Sequence, residues 1–241
     1  MRQLKEKVAF ITGGTKGIGY GIAQSLLAEG IHVIITSRSQ SDAEAAAQRL
    51  SELEESLGKA IGVKADVKQL SDVETAVKKA HDSFGAIDIV IANAGVGHFA
   101  SIEDLEPKQW HDVIDTNLTG VFNTVKATVN DLKSQKGYFM SISSLAGANF
   151  FATGAAYNAS KFGVTGFTQA VMLDLRQHGV KVTTIMPGSV STHFNNNTPS
   201  DKGSWKIQIE DLGELVVDLL KMHPRTLPSK VEVRPSQPPS K

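Results

Sequence analysis

The chain contains no cysteine among its 241 residues. Disulfides, thiolate nucleophiles and cysteine-ligated zinc are therefore excluded, and the absence of disulfides fits a reducing compartment. Charge of one sign is also lacking, because 25 Lys and Arg stand against 25 Asp and Glu. With no net field to draw it to phosphate backbones or anionic lipid, the chain is not expected to bind nucleic acid or a membrane surface. No apolar run approaches the roughly 18 residues that a membrane span requires. The longest, IDIVIANAG from Ile87, ends in turn residues. The opening segment MRQLKEKVAFITGG passes straight from a few charges into a short apolar run and then glycines. A secretory signal would need a longer apolar core and a small-residue cleavage site. The expectation is a cytoplasmic protein that acts on a small molecule.

Several catalytic signatures are missing as well. Seven histidines are scattered without an H-E-x-x-H pair or a Glu-x-x-His set, so no protein-held metal is expected. No G-x-S-x-G elbow of an α/β-hydrolase occurs. A P-loop is excluded because Tyr20 stands after Gly19, where the phosphate-binding lysine would have to be.

What is present is ordinary globular material, 41% apolar and 21% charged, enough for one substantial core. Short β-branched runs recur at Lys7–Thr12, His32–Ser37, Ile87–Ala92, Tyr138–Ser143 and Lys181–Met186. They are apolar on both faces and read as buried parallel strands. Weaker runs from Ala60 and at Val231 complete an expected seven-stranded sheet. Between them lie segments of helical period: Ile18, Ile22 and Leu26; Ala43, Ala47, Leu50 and Leu57; Val73, Val77 and Phe84; Val121, Val125, Val129 and Leu132; Leu212, Leu215, Val216 and Leu219. Alternating strands and helices with right-handed crossovers predict a doubly wound α/β fold with helices on both faces of a parallel sheet. No repeat or linker divides the chain, so residues 1–241 read as a single domain. Two stretches are too polar and proline-marked for a core, Asn195–Ser204 and the tail 234–241.

After the first strand comes TGGTKGIG, Thr12 to Gly19, opening the first helix. Glycines there let the backbone turn tightly and let a pyrophosphate approach main-chain N–H groups at the positive end of a helix. A glycine-rich turn with no ligand is the plainer alternative. In the chemistry of such sites, an acidic residue at the end of the second strand binds the adenosine ribose of NAD. Here Ser37 and Arg38 occupy that place. A hydroxyl beside a guanidinium suits a 2′-phosphate through charge-assisted hydrogen bonds, and Lys16 adds a second cation. The preference predicted is NADPH over NADH, with solvated surface charges as the alternative reading of Lys16 and Arg38.

A second constellation is Tyr157 and Lys161, four positions apart and therefore on one helix face. A free phenol has a pKa of about 10. A neighbouring cation is expected to lower it towards a useful acid/base range.

The spacing Gly13, Gly17, Gly19 resembles the T-G-x-x-x-G-x-G turn of the short-chain dehydrogenase/reductase family. Asn93-Ala94-Gly95, Asn117 in DTNLTG, Ser144 in SISSLAG, the Y-x-x-x-K of Tyr157 and Lys161, and PGSVST from Pro187 to Thr192 extend the resemblance over almost the whole chain. Thirteen positions separate Ser144 from Tyr157, and forty separate Asn117 from Tyr157. The nearest likeness is to 3-oxoacyl-[acyl-carrier-protein] reductases, although the ending LPSKVEVRPSQPPSK departs from the glycine-rich finish usual there.

The resemblance implies a Rossmann-like domain and a catalytic set of Asn117, Ser144, Tyr157 and Lys161. Tyr157 would protonate the carbonyl oxygen while Ser144 hydrogen-bonds it. Lys161 would tune Tyr157 and bind ribose, and Asn117 would hold a water that links Lys161 to solvent. NADP(H) would be held by Gly13, Thr15, Lys16, Gly17, Ile18, Gly19, Ser37 and Arg38. Asp66 and Val67 would flank the adenine, Asn93, Ala94 and Gly95 the adenosine ribose, and Pro187, Gly188, Val190 and Thr192 the nicotinamide, with Tyr157 and Lys161 alongside. Asp66 has a rival reading as a helix-capping carboxylate.

A polar lid is expected over residues 191–209. Ala146, Gly147, Asn149, Phe150, Phe151 and Phe194 are candidate pocket residues, and His98 is either a pocket border or a solvated loop histidine. Apolar surface to spare on the helix carrying Tyr157, with Val164, Phe167, Val171 and Leu175, points to a homodimer or homotetramer. The activity implied is NADPH-dependent reduction of a carbonyl, with a 3-oxoacyl thioester as the first candidate substrate. Broad carbonyl reductases, dehydrogenases of small hydroxy acids or sugars, and a non-catalytic NADP(H) sensor remain as alternatives.

Overall fold

A strand whose two faces both carry apolar side chains is stable only if a layer covers each face, and the computed structural model, which describes residues 3–237, has that arrangement. The strands are β1 (Val8–Thr12), β2 (His32–Ser37), β3 (Ala60–Lys64), β4 (Ile89–Ala92), β5 (Tyr138–Ile142), β6 (Lys181–Pro187) and β7 (Lys230–Val233). All pair in parallel, in the order β3-β2-β1-β4-β5-β6-β7. The helices are α1 (Gly17–Ala28), α2 (Gln40–Ser51), α3 (Leu70–Phe84), α4 (Pro107–Ile114), α5 (Gly120–Gln135), α6 (Ala155–Leu175) and α7 (Ile209–Lys221). This is the expected doubly wound, Rossmann-like fold.

The period of two along each strand divides the core. Ala9, Ile11, Met140 and Ile142 face one side, where α1, α2 and α7 contribute Ile22, Leu26, Leu50, Leu212 and Val216. Phe10, Val90 and Phe139 face the other, against Val73 and Val77 of α3, Val125 and Leu132 of α5 and Val164 of α6. Strand order reverses between β1 and β4, and the crevice beyond the carboxyl ends of those strands is where such sheets bind ligands.

Three local expectations change. Helix α4 is only eight residues long, with Trp110, Val113 and Ile114 on one face, and was not foreseen from the sequence; it starts on Pro107, with Gln109 Oε1 accepting from Glu106 N at 3.1 Å. Leu57 does not continue the apolar face of α2. That helix ends at Ser51, the N–H groups of Leu57 and Gly58 turn back onto Leu27 O (both 3.0 Å), and Leu57 is 73% exposed. The segment around Asn117 is a π-helical turn, Asp115–Thr119, between α4 and α5. The polar stretch after β6 holds two short 3₁₀ turns, Phe194–Asn196 and Asp201–Gly203, and a bridge between Val190 and Ile207. Of the expected irregular tail, residues 234–237 follow β7 without regular structure, and residues 238–241 lie outside the described residues.

Candidate active site

The glycine turn is locked to the loop after β4. Gly13 (φ +66°) and Gly17 (φ +61°) adopt left-handed backbone that favours glycine. A Cβ at Gly13 would also lie 2.9 Å from Ala94 Cα. Thr12 Oγ1 accepts from the N–H groups of Asn93 and Ala94 at 3.0 and 3.2 Å. Asn93 Nδ2 donates to the carbonyls of Thr12 and Gly13, both at 2.9 Å. The two motifs thus act as one rigid edge. Lys16 precedes α1 in extended conformation and places no side-chain acceptor on the first N–H groups of the helix, which leaves them available to an anion.

That edge opens on a cleft of about 970 Å³. Among its lining residues are Gly13, Thr15, Lys16, Gly17, Ile18, Ser37, Arg38, Asp66, Val67, Asn93, Ala94, Gly95, Pro187, Gly188, Val190 and Thr192, together with Ser144, Tyr157 and Lys161. Two expected site residues are not on the lining. Gly19 instead permits close packing, since a Cβ there would meet Asn93 Nδ2 at 2.5 Å and Gly13 O at 2.7 Å. Asn117 is buried behind the wall: its Oδ1 accepts from Val96 N (2.8 Å), and its Nδ2 donates to Val96 O (2.9 Å) and Ser160 Oγ (3.0 Å). Its side chain is thereby committed to positioning the loop after β4 against α6.

Asp66 does not cap α3. Its Oδ1 accepts from Lys68 N at 3.0 Å, closing its own turn, in the manner of an Asx-turn. Arg38 and Lys16 are exposed and belong to no ion pair among the described residues. Thr36 escapes motif reading: it lines the cleft, is 1% exposed, and its Oγ1 has no hydrogen-bond partner among the described residues. Lys206, from the lid, also lines the cleft, and no sequence motif marks it.

At the other end Tyr157 and Lys161 rise from the first turns of α6. Burial pushes the Tyr157 phenol above the ordinary value and outweighs the Ser144 hydroxyl beside it, which favours the phenolate. The expected lowering by Lys161 is not realised in the protein alone. Lys161 Nζ donates to Ile142 O at 2.9 Å and lies 5.7 Å above the centre of the Tyr157 ring. Its own pKa falls to about 8 because burial penalises the ammonium. Ser144 Oγ also accepts from Ala146 N at 3.1 Å, which fixes the start of the 3₁₀ turn after β5.

Two phenylalanine rings pack on Tyr157, and a third packs on one of them. Phe99 and Phe194 have ring centroids 5.4 and 5.7 Å from that of Tyr157, and Phe99 lies 5.9 Å from Phe151 and 6.5 Å from Phe194. Of the expected pocket residues only Phe194 lines the cleft; Phe151 joins the ring cluster, Phe150 is 86% exposed, Asn149 is exposed, and Ala146 and Gly147 are buried behind. Phe99 was not foreseen, although it adjoins His98. His98 borders the cleft and its Nε2 is 3.1 Å from Asp112 Oδ2. Burial works to raise the Asp112 carboxyl, but His98 and Lys68 together hold it below the usual carboxylate range.

Comparison with known proteins gives the class. The short chain dehydrogenase family matches residues 7–203. An uncharacterized oxidoreductase of Staphylococcus epidermidis is 33% identical over 98% of this chain and 100% of its own length. A 3-oxoacyl-[acyl-carrier-protein] reductase of Synechocystis is 35% identical over 82% of this chain and 79% of its own. Among solved structures, an alcohol dehydrogenase of the archaeon Thermococcus sibiricus, complexed with 5-hydroxy-NADP, superposes with a TM-score of 0.89 at 29% identity, covering 98% of this chain and 99% of the other. The chain belongs to the short-chain dehydrogenase/reductase family. It is an oxidoreductase of a family that uses nicotinamide cofactors. Among the described residues, no helix is long and apolar enough to cross a membrane.

Proposed function

We propose that the chain is an NADPH-dependent oxidoreductase that interconverts a carbonyl compound and its alcohol. The observation that carries this reading is the Tyr157 phenol, beside Ser144 and backed by Lys161, at one end of a cleft whose other end is the glycine turn. The lining fits a dinucleotide phosphate. Gly13 and Gly17 keep side chains out of the turn, Thr36 Oγ1 is a buried donor unused among the described residues, and Lys16 in the glycine turn and Arg38 at the end of β2 are cations with no ion pair among the described residues. Residues Gly13, Thr15, Lys16, Gly17, Ile18, Ser37, Arg38, Asp66, Val67, Asn93, Ala94, Gly95, Pro187, Gly188, Val190 and Thr192 would hold NADP(H), with Gly19 shaping the turn from behind.

Bound NADPH supplies the hydride that reduces the carbonyl carbon. Ser144 hydrogen-bonds the carbonyl oxygen and stabilises the negative charge that develops on it. Tyr157 transfers the Oη proton to the same oxygen. Its raised pKa keeps the phenol protonated at neutral pH, the form that carbonyl reduction requires. Lys161 holds a positive charge behind the ring, and Asn117 fixes the loop that carries Gly95 and Val96. A 3-oxoacyl thioester is one substrate consistent with the Synechocystis relative; small hydroxy acids and sugars are others. A cofactor sensor without chemistry is disfavoured because Asn117, Ser144, Tyr157 and Lys161 are all retained.

The family pairs the helices equivalent to α5 and α6 across a dimer axis. Here Phe122 of α5 is 45% exposed, and Phe162 and Leu173 of α6 are 44% and 54% exposed. We assign these to a homodimer or homotetramer interface.

The test is NADPH oxidation, followed by loss of the reduced-nicotinamide absorbance, against a panel of carbonyl compounds. Turnover by the native chain that disappears in Tyr157→Phe supports the reading. Tight NADPH binding with no turnover on the panel would favour the sensor.

A further inference from the structure

The three phenylalanines beside Tyr157 come from separate parts of the chain. Phe99 follows β4, Phe151 precedes α6, and Phe194 belongs to the segment after β6. Phe99 and Phe151 are 37% and 48% exposed, so their rings are open to a ligand on one side while glycines support them on the other. A Cβ on Gly97 would lie 2.7 Å from Phe194 Cζ and 3.0 Å from Phe99 Cε2, and a Cβ on Gly154 would lie 2.7 Å from Phe151 Cε2. Two glycines thus form the floor on which the rings rest, and any side chain there would displace them.

The backbone next to two of the rings is strained. Thr153 adopts φ +65° and Asn195 adopts φ +54°. Asparagine tolerates that region, but for a β-branched threonine it is a true outlier. Thr153 O accepts from Ala100 N at 3.0 Å, joining the Phe151 loop to the Phe99 loop. Asn158 tightens the same corner: its Nδ2 donates to Ala146 O and Asn149 O, both at 2.8 Å, and its Oδ1 accepts from Phe151 N at 3.4 Å. Strain held by this many bonds indicates that the placement of the rings is what the segment maintains.

The chemistry of this wall selects its ligand. Its faces are phenyl faces and edges, and it carries no charged side chain. Lys161 is held by Ile142 O and His98 is engaged by Asp112, while Lys206 lines the same cleft without being part of the ring cluster. A carboxylate or a sugar laid against the three rings would lose water without gaining a partner from them, which is costly. A flat apolar ring gains both buried area and edge-to-face contacts.

Resting on the proposed carbonyl chemistry, we infer that the substrate is a ketone or aldehyde bearing an apolar ring, aryl or alicyclic, which Phe99, Phe151 and Phe194 hold beside Tyr157. These three residues set specificity, while Ser144 and Tyr157 act on the oxygen. The reaction balances as hydride to the carbonyl carbon from NADPH and a proton to the oxygen from Tyr157, giving the secondary or primary alcohol and NADP⁺.

The test has a kinetic arm and a binding arm. In the first, aryl ketones, cyclohexanones, straight-chain ketones of matched carbon number, a 3-oxoacyl thioester and a short keto acid are compared on the native chain, Phe151→Leu and Phe99→Leu. Leucine keeps apolar bulk and removes only the aromatic ring, so folding is spared. The expected result is a higher kcat/KM for the ring-bearing carbonyls. Each leucine variant should raise KM for them about 3- to 10-fold with kcat nearly unchanged, and leave the straight-chain ketones alone.

In the second arm, saturation-transfer NMR measures binding of an aryl ketone to NADPH-loaded Tyr157→Phe, with and without Phe151→Leu. Equal preference for straight-chain substrates, or equal losses on every substrate, would overturn the inference while leaving the oxidoreductase intact. Aryl-ketone binding that weakens with Phe151→Leu, together with no turnover of any carbonyl by the native chain, would uphold the wall and sink the proposed chemistry. Absence of both binding and turnover would overturn both.

Discussion

The two ends of the cleft are built from different materials. At the cofactor end the contacts come from backbone in fixed conformations, Gly13 and Gly17 with positive φ, and from the two hydrogen bonds that Asn93 donates to Thr12. At the substrate end they come from side-chain rings on three loops, supported by Gly97, Gly154 and Asn158. A main-chain cradle tolerates few residue types at each position, whereas a wall of side chains can be refilled without changing the fold. Recognition at the glycine-turn end is therefore set by backbone geometry, whereas recognition at the ring end is left to side-chain composition.

Perturbations should separate the two ends. The largest effect belongs to the junction between them: Tyr157→Phe should lower kcat by about 10²–10⁴-fold while NADPH affinity, measured by fluorescence titration, changes little. A comparable loss of NADPH affinity would mean that Tyr157 holds the cofactor more than it moves a proton.

Next is the cost of the buried ammonium. Because burial lowers Lys161 from 10.5 to about 8, the unfolded chain retains a proton between those values that the folded chain has released. Stability attributable to Lys161 therefore rises with pH across that window and is lowest below it. Lys161→Met should remove the slope and stabilise the apo chain at pH 7 by up to about 3 kcal/mol. Denaturant melts at several pH values check this, and a slope that survives the substitution would assign it to another group.

At the cofactor end, Arg38→Ala should weaken NADPH binding by about 10- to 100-fold and leave NADH unchanged, since only the 2′-phosphate would lose a charge-assisted hydrogen bond. Equal losses for both cofactors would place Arg38 elsewhere. Least affected should be Phe150→Ala, because that ring is 86% exposed and outside the cluster on Tyr157. Its KM for carbonyl substrates should stay within about 2-fold, as is usual for surface positions, and a larger change would extend the wall outward.

Legibility in the sequence follows the same division. Strands β1, β2, β4, β5 and β6 were visible because both faces of each are buried, which forces continuous apolar runs. Helix α4 was not, because only Val113 among its residues is buried. Glycines 13 and 17 could be placed by motif, since their role depends on φ and not on neighbours. By contrast, the direction of the Tyr157 pKa shift in the protein alone is opposite to the one expected. Proximity of Lys161 in sequence guarantees a shared helix face, but the ammonium turns to Ile142 O, and the phenol responds chiefly to burial. Phe99 and Thr36 were overlooked because a single residue beside a motif carries no periodic signal.

By itself the sequence determined the order of strands and helices, the left-handed glycine positions and the coincidence of Asn117, Ser144, Tyr157 and Lys161, all of which depend on local conformation or fixed spacing. Only the tertiary structure decided which residues share a wall. Phe99, Phe151 and Phe194 meet because the loops after β4, β5 and β6 converge at the carboxyl edge of the sheet. Burial likewise exists only once the chain is packed, so the shifted pKa values of Tyr157 and Lys161 and the unpartnered hydroxyl of Thr36 are properties of the fold and of no segment within it.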